Sequence, residues 1–223
     1  AGKTSLLRLI CGLLSPTEGQ VLWRGQPLAV QREQWGRDLV YLGHAAALKD
    51  DLSPLDNLLS ACTLGGQTAH RTGALQALTD AGLRGFERTP ARRLSQGQRR
   101  RCGLARLVLA RSSPLWVLDE PFNTLDAPAC DWLGTLLTTH LRQGGLVVLT
   151  SHQPLAPSCS AYRLVVTLAS PTLMPMNRDS TANDHKKRWR ACHATAHRAR
   201  PDNSGCLGLW LGVAARRALQ PQV

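Results

Sequence analysis

Between positions 115 and 120, four apolar residues run without interruption into two carboxylates: Leu115-Trp116-Val117-Leu118-Asp119-Glu120. An apolar run this short, with no polar alternation, suits a strand buried on both faces. Such strands belong to parallel sheets covered by helices on either side. Leu39 to Leu42 and Leu146 to Thr150 are runs of the same kind. Helical segments are predicted between and around them: Leu6 to Leu13, Pro54 to Ala61, Thr72 to Gly82, Ser95 to Ala110 and Ala127 to Arg142. Short apolar strands alternating with helices predict an α/β fold with a parallel sheet.

Punctuation along the chain supports this division. Gly12 and Pro16 stop the first helix, and Gly144-Gly145 closes the last. Gln20 to Arg24 and Pro27 to Val30 flank Gly25 and read as a small hairpin. From about Ala45 to Arg93, helices and polar loops replace strands. After about Thr167 periodicity is lost, and Ala169 to Asn203 is rich in Pro, Ser, Thr, Arg and His. That composition predicts a disordered tail with a weak helix over Leu207 to Leu219. The tail's Cys192, His193 and His197 lack structural-zinc spacing, so disorder outweighs metal or haem ligation there.

The chain is 43% hydrophobic and 19% charged over 223 residues, enough to bury a sizeable core. No apolar run reaches the roughly 18 residues of a membrane span. The longest, Cys206 to Ala215, is broken by Gly208 and Gly212. The net charge of +12 comes half from residues 167–223, which hold 9 basic and 3 acidic side chains. With only 4% aromatic residues and no nucleic-acid motif, the charge does not point to nucleic acid, and none is expected as a partner. Arg99-Arg100-Arg101 is read as the exposed side of a helix. The 7 cysteines are odd in number and form no CxxC pair, which fits free buried thiols in a reducing compartment.

The chemistry concentrates in four places. Gly2-Lys3-Thr4-Ser5 precedes an apolar helix, as in the end of a phosphate-binding loop, G-x-x-x-x-G-K-[ST]. There the helix N-terminus and Lys3 would take phosphate oxygens, and the Thr4 hydroxyl a Mg²⁺ ion. Asp119, at the end of its apolar strand, is the expected metal carboxylate; Glu120 can polarise an attacking water. Leu94-Ser95-Gln96-Gly97-Gln98 opens a helix, and Thr150-Ser151-His152 follows the last apolar strand.

In this order the motifs resemble the ATP-binding subunits of ABC transporters. Ser95 to Gln98 stands for the LSGGQ signature, with Gln96 replacing its first glycine; Asn123 to Asp126 matches the D-loop, and His152 the switch histidine. The resemblance implies a P-loop ATPase core over residues 1–167 with a helical subdomain near 45–100, and a basic tail over 168–223. It implies ATP and Mg²⁺ as ligands, with Gly2, Lys3, Thr4, Ser5, Ser95, Gly97, Gln98 and Asp126 around nucleotide. Thr4 and Asp119 would hold the metal, and Glu120, His152 and His44 would be catalytic. Val40-Tyr41-Leu42-Gly43-His44 places His44 where most such ATPases carry a glutamine. Gly-His there, with Val21 to Leu28, Asp119 to Phe122 and Thr150 to Leu155, resembles the ATPase subunit of the haem exporter of cytochrome c biogenesis.

That family implies a head-to-tail dimer with a second copy, a polytopic membrane subunit as partner, and a peripheral position on the cytoplasmic face of the inner membrane. Two departures are expected to matter. A strand and the first loop residues precede the lysine motif in this family, whereas only Ala1 precedes Gly2 here, so the chain reads as N-terminally truncated with its first strands missing. The region after Thr167 resembles nothing in the family and reads as an unrelated or frameshifted tail. A soluble ABC ATPase without a membrane partner and an inactive fragment are the alternatives.

Overall fold

The computed structural model describes residues 2–151 and, as backbone alone, the antiparallel pair 164–165 and 197–198. Apart from that pair, the predicted disordered tail, its weak helix and His152 lie outside the described residues. Along the chain come helix α1 (Lys3–Ile10), a hairpin of β1 (Leu22–Trp23) and β2 (Gln26–Pro27), helix α2 (Arg32–Asp38) and strand β3 (Leu39–Leu42). Helices α3 (Pro54–Leu64), α4 (Arg71–Asp80) and α5 (Gln96–Leu109) follow, then β4 (Leu115–Asp119), α6 (Ala127–Arg142) and β5 (Leu146–Thr150).

β3, β4 and β5 form a parallel sheet in that order, with β4 central and buried along its whole length. Side chains alternate across a strand, so β4 feeds two cores. Leu115 and Val117 pack with Leu7 and Cys11 of the α1 side and with Trp35 of α2. Trp116 and Leu118 pack on the other face with Leu104 and Leu107 of α5 and Leu133 and Leu137 of α6. Helix α5 has a second buried face: Cys102 and Ala105 join Leu55, Leu58, Ala74 and Leu78 in a helical cluster with α3 and α4. One helix therefore borders both the sheet and the helical cluster.

Helix starts follow their capping residues. Ser53 accepts the Asp56 N–H ahead of α3, and Asp126 accepts the Ala129 N–H ahead of α6. Ser95 and Gln98 make a reciprocal capping box ahead of α5. The hairpin differs from expectation. Only Gln26–Pro27 pairs in its second arm, because Leu28–Val30 coils into a 3₁₀ turn that buries Leu28. Helix α2 was not expected from its polar sequence; Trp35 anchors it, buried and edge-on to Trp23 with ring centroids 5.0 Å apart.

The register fixes where a site can form. Leu42 pairs with Leu118, and Asp119 with Thr150, so the carboxyl ends of the three strands lie level. The crevice beyond such ends is where open α/β sheets hold ligands.

Candidate nucleotide site

Gly2 caps α1 in the left-handed region, φ 98°, and offers no side chain to the first turn. The first-turn N–H groups of a helix have no partners within the helix. Lys3 and Thr4 stand on that turn and reach the end of β4. Lys3 Nζ lies 3.4 Å from Glu120 Oε1, and the Thr4 hydroxyl donates to Asp119 Oδ2 at 3.0 Å. Two residues more than a hundred positions from their partners thus meet them at the carboxyl end of the central strand. Ser5 is exposed beside them.

The two carboxylates sit in a nearly closed setting, Asp119 at 3% and Glu120 at 7% exposure. Thr150, fully buried, holds both. Its hydroxyl donates to Asp119 Oδ1 at 2.7 Å and accepts the Glu120 N–H at 2.9 Å. Glu120 itself is left-handed, φ 51°. For a non-glycine residue that backbone costs on the order of 1 kcal/mol and persists only where neighbours hold it.

Arg100 is the second holder. It is buried, not exposed as the sequence suggested for the Arg99-Arg100-Arg101 run. Its guanidinium donates to five backbone carbonyls. Nη2 reaches Asp119 O at 2.7 Å and Glu120 O at 2.8 Å, and Nη1 reaches Gly43 O at 2.8 Å and His44 O at 3.0 Å. Nε reaches Pro121 O at 3.4 Å. Burial lowers the Arg100 pKa, and the Asp119 and Glu120 charges oppose that shift. Its neighbours are half-buried and reach no strand end: Arg99 pairs with Asp50 at 2.6 Å and donates to Ala91 O at 2.8 Å, and Arg101 approaches Gly82 O at 3.4 Å.

His44 is exposed at the end of β3 and lines two cavities. One, of about 630 Å³, is shared with Thr4 and Asp119. The other, of about 670 Å³, is shared with Gln96, Asn123 and Thr124. Ser95, Gly97 and Gln98 form the start of α5, where the Ser95 and Gln98 side chains serve the capping box. A Cβ at Gly97 would stand 2.9 Å from the Thr124 carbonyl, so only glycine lets the helix start lie against that loop. Asp126 is exposed, with its carboxylate on the Ala129 N–H at 3.1 Å. Lys3, Thr4, Asp119 and Glu120 therefore form one directly bonded cluster; Ser95 to Gln98 and Asp126 occupy helix starts elsewhere. Sequence reasoning missed Thr150 and Arg100. A threonine level with Asp119 on the next strand was a usable signal for the first, whereas nothing distinguishes Arg100 from its two flanking arginines.

A Gly-Lys-Thr helix start, a strand-end Asp-Glu pair and a capped Ser-Gln-Gly-Gln helix start stand around one parallel sheet, as expected of an ATP-binding cassette. Residues 1–123 match the ABC transporter family, and the chain belongs to it. It is an ATP-binding and ATP-hydrolysing subunit of that transporter class. It is 53% identical over 152 residues to the cytochrome c biogenesis ATP-binding export protein CcmA of Aromatoleum aromaticum, covering 68% of this chain and 71% of that protein. The protein of the same name from Pseudomonas fluorescens is 52% identical over 163 residues, covering 73% and 76%. Among solved structures, a dimeric ATP-binding cassette in a post-hydrolysis state, bound to ADP and Pi, superposes with a TM-score of 0.60. It is 26% identical, with 68% of this chain and 70% of that chain covered. No helix among the described residues is long and apolar enough to cross a membrane.

Proposed function

We propose that this chain powers the export step of cytochrome c biogenesis, as the ATPase subunit of a haem-exporting transporter. The observation that carries the site assignment is the direct bonding of the loop residues Lys3 and Thr4 to Glu120 and Asp119. The relatives' names support the choice of transporter. Residues 1–167 form the ATPase domain, with a helical subdomain over about 45–100 and a basic tail over 168–223.

Lys3 and the α1 N–H groups take the nucleotide phosphates. The Thr4 hydroxyl and the Asp119 carboxylate are adjacent hard oxygen donors, the set that Mg²⁺ prefers. When bound, the ion neutralises charge on the phosphate oxygens. Glu120, beside Asp119 and held at both ends of its backbone, polarises the attacking water. His44, from the end of β3, and His152 complete the catalytic set. Ser95, Gly97 and Gln98 face nucleotide held by a second copy in a head-to-tail dimer, and Asp126 lies near that junction. The dimer docks on a polytopic membrane subunit at the cytoplasmic face of the inner membrane.

The test is co-purification with a polytopic membrane protein from a cytochrome c-producing bacterium, combined with ATPase assays of the complex. Glu120→Gln is expected to retain bound ATP and lose turnover. Normal turnover in that variant would remove Glu120 from its role, and recovery of the chain without any membrane partner would remove the transporter assignment.

A further inference from the structure

The five carbonyls that Arg100 collects come from two separate segments. Gly43 and His44 follow β3, while Asp119 ends β4 and Glu120 and Pro121 follow it. Each segment carries residues assigned to the nucleotide site. Arg100 itself stands on the early part of α5, whose cap is Ser95. One side chain thus ties two segments of the site, at their backbones, to the helix it stands on, with no carboxylate among its hydrogen-bond acceptors.

We propose that Arg100 is a positioning residue for hydrolysis, setting Glu120 and the His44 segment relative to the signature helix. Three features point beyond mere scaffolding. First, Glu120 sits in a backbone conformation that must be held, and it is held at its N–H by Thr150 and at its C=O by Arg100. Second, the His44 segment borders two cavities, and both are lined by His44 through Leu48 and by Arg100. Third, within this segment Ala47 also takes a left-handed backbone, φ 50°, so its path is not the relaxed one. A planar guanidinium can serve both segments at once because its donors diverge in a fixed fork; an ammonium is a point donor and cannot span them. Any shift of the α5 start then moves the Glu120 carbonyl and the His44 carbonyl together.

This inference rests on the ATPase assignment above. The test compares wild type with Arg100→Lys and Arg100→Gln, and with Arg101→Ala as a surface control. Mg-ATP affinity and binding stoichiometry are measured by calorimetry, and kcat and KM are measured per binding-competent site. Arg100→Lys is expected to bind Mg-ATP within about threefold of wild type while kcat falls about tenfold or more, since misplacement by an ångström is costly to catalysis. KM should change little, and Arg101→Ala should match wild type. A kcat per competent site within twofold of wild type in both Arg100 variants would overturn the proposal. So would failure of both to fold, which would reduce Arg100 to a scaffold residue. A wild-type chain that binds Mg-ATP without hydrolysing it would instead overturn the ATPase reading, and this inference with it.

Discussion

Replacing Thr150 by valine removes one hydroxyl and leaves the shape almost unchanged. That hydroxyl has two tasks in a fully buried place. It donates to the Asp119 carboxylate at 2.7 Å and accepts the Glu120 N–H at 2.9 Å. Losing a hydrogen bond to a charged group costs about 1.5–3 kcal/mol, and stranding a buried N–H costs about 1–3 kcal/mol. The two losses share one atom and are not fully additive, so about 3 kcal/mol is expected. For a chain of this size that corresponds to a fall in Tm of about 6–12 °C. Thr150→Ser keeps the hydroxyl and loses one methyl, about 1 kcal/mol. Urea or thermal unfolding of the three proteins checks the ranking. A valine variant within about 1 kcal/mol of wild type, or a serine variant as unstable as the valine one, would refute the reasoning.

Other expectations follow from the same geometry. Ser95→Ala removes half of the capping box and should cost about 1 kcal/mol, read as a lower urea midpoint with an unchanged slope. Burial lowers the pKa of His140, which is stacked on Trp116 with ring centroids 3.7 Å apart. The unfolded chain then binds the proton more readily, so stability is present above about pH 6.5 and declines below it. His140→Gln should flatten that decline, and an identical pH dependence in the variant would contradict it. Burial pushes the Cys11 and Cys102 thiols up to about 12 and also raises Cys62, so all three should resist alkylation. Among the described cysteines the half-buried Cys130 should label first by peptide mapping, and equal labelling of all four would contradict the packing.

Much of this fold was legible because local signals agreed with the tertiary need. Helix α6 runs over the predicted Ala127–Arg142, where Asp126 caps it and Pro128 suits its first turn. Strand β5 and the start of α5 were legible for similar reasons. Helix α2 was not, since Arg32–Asp38 is polar and contains Gly36; its existence depends on Trp35 finding a buried place against Trp23. Lys3, Thr4, Asp119 and Glu120 could be named from their motifs, and the structure joins them directly. Arg100 could not be found, because a buried guanidinium is unfavourable unless its donors are satisfied. Its acceptors are backbone carbonyls from distant segments, which no side-chain pattern encodes.

The central claim is that Lys3 and Thr4 build a nucleotide site against Asp119 and Glu120. Its most direct test is calorimetric titration of Mg-ATP into the chain, alongside Lys3→Ala and Asp119→Asn. Saturable binding that weakens at least tenfold without Lys3, and that loses its Mg²⁺ dependence without the Asp119 carboxylate, is the predicted result. Binding that ignores both substitutions, or no binding by a folded wild-type chain, would contradict the claim.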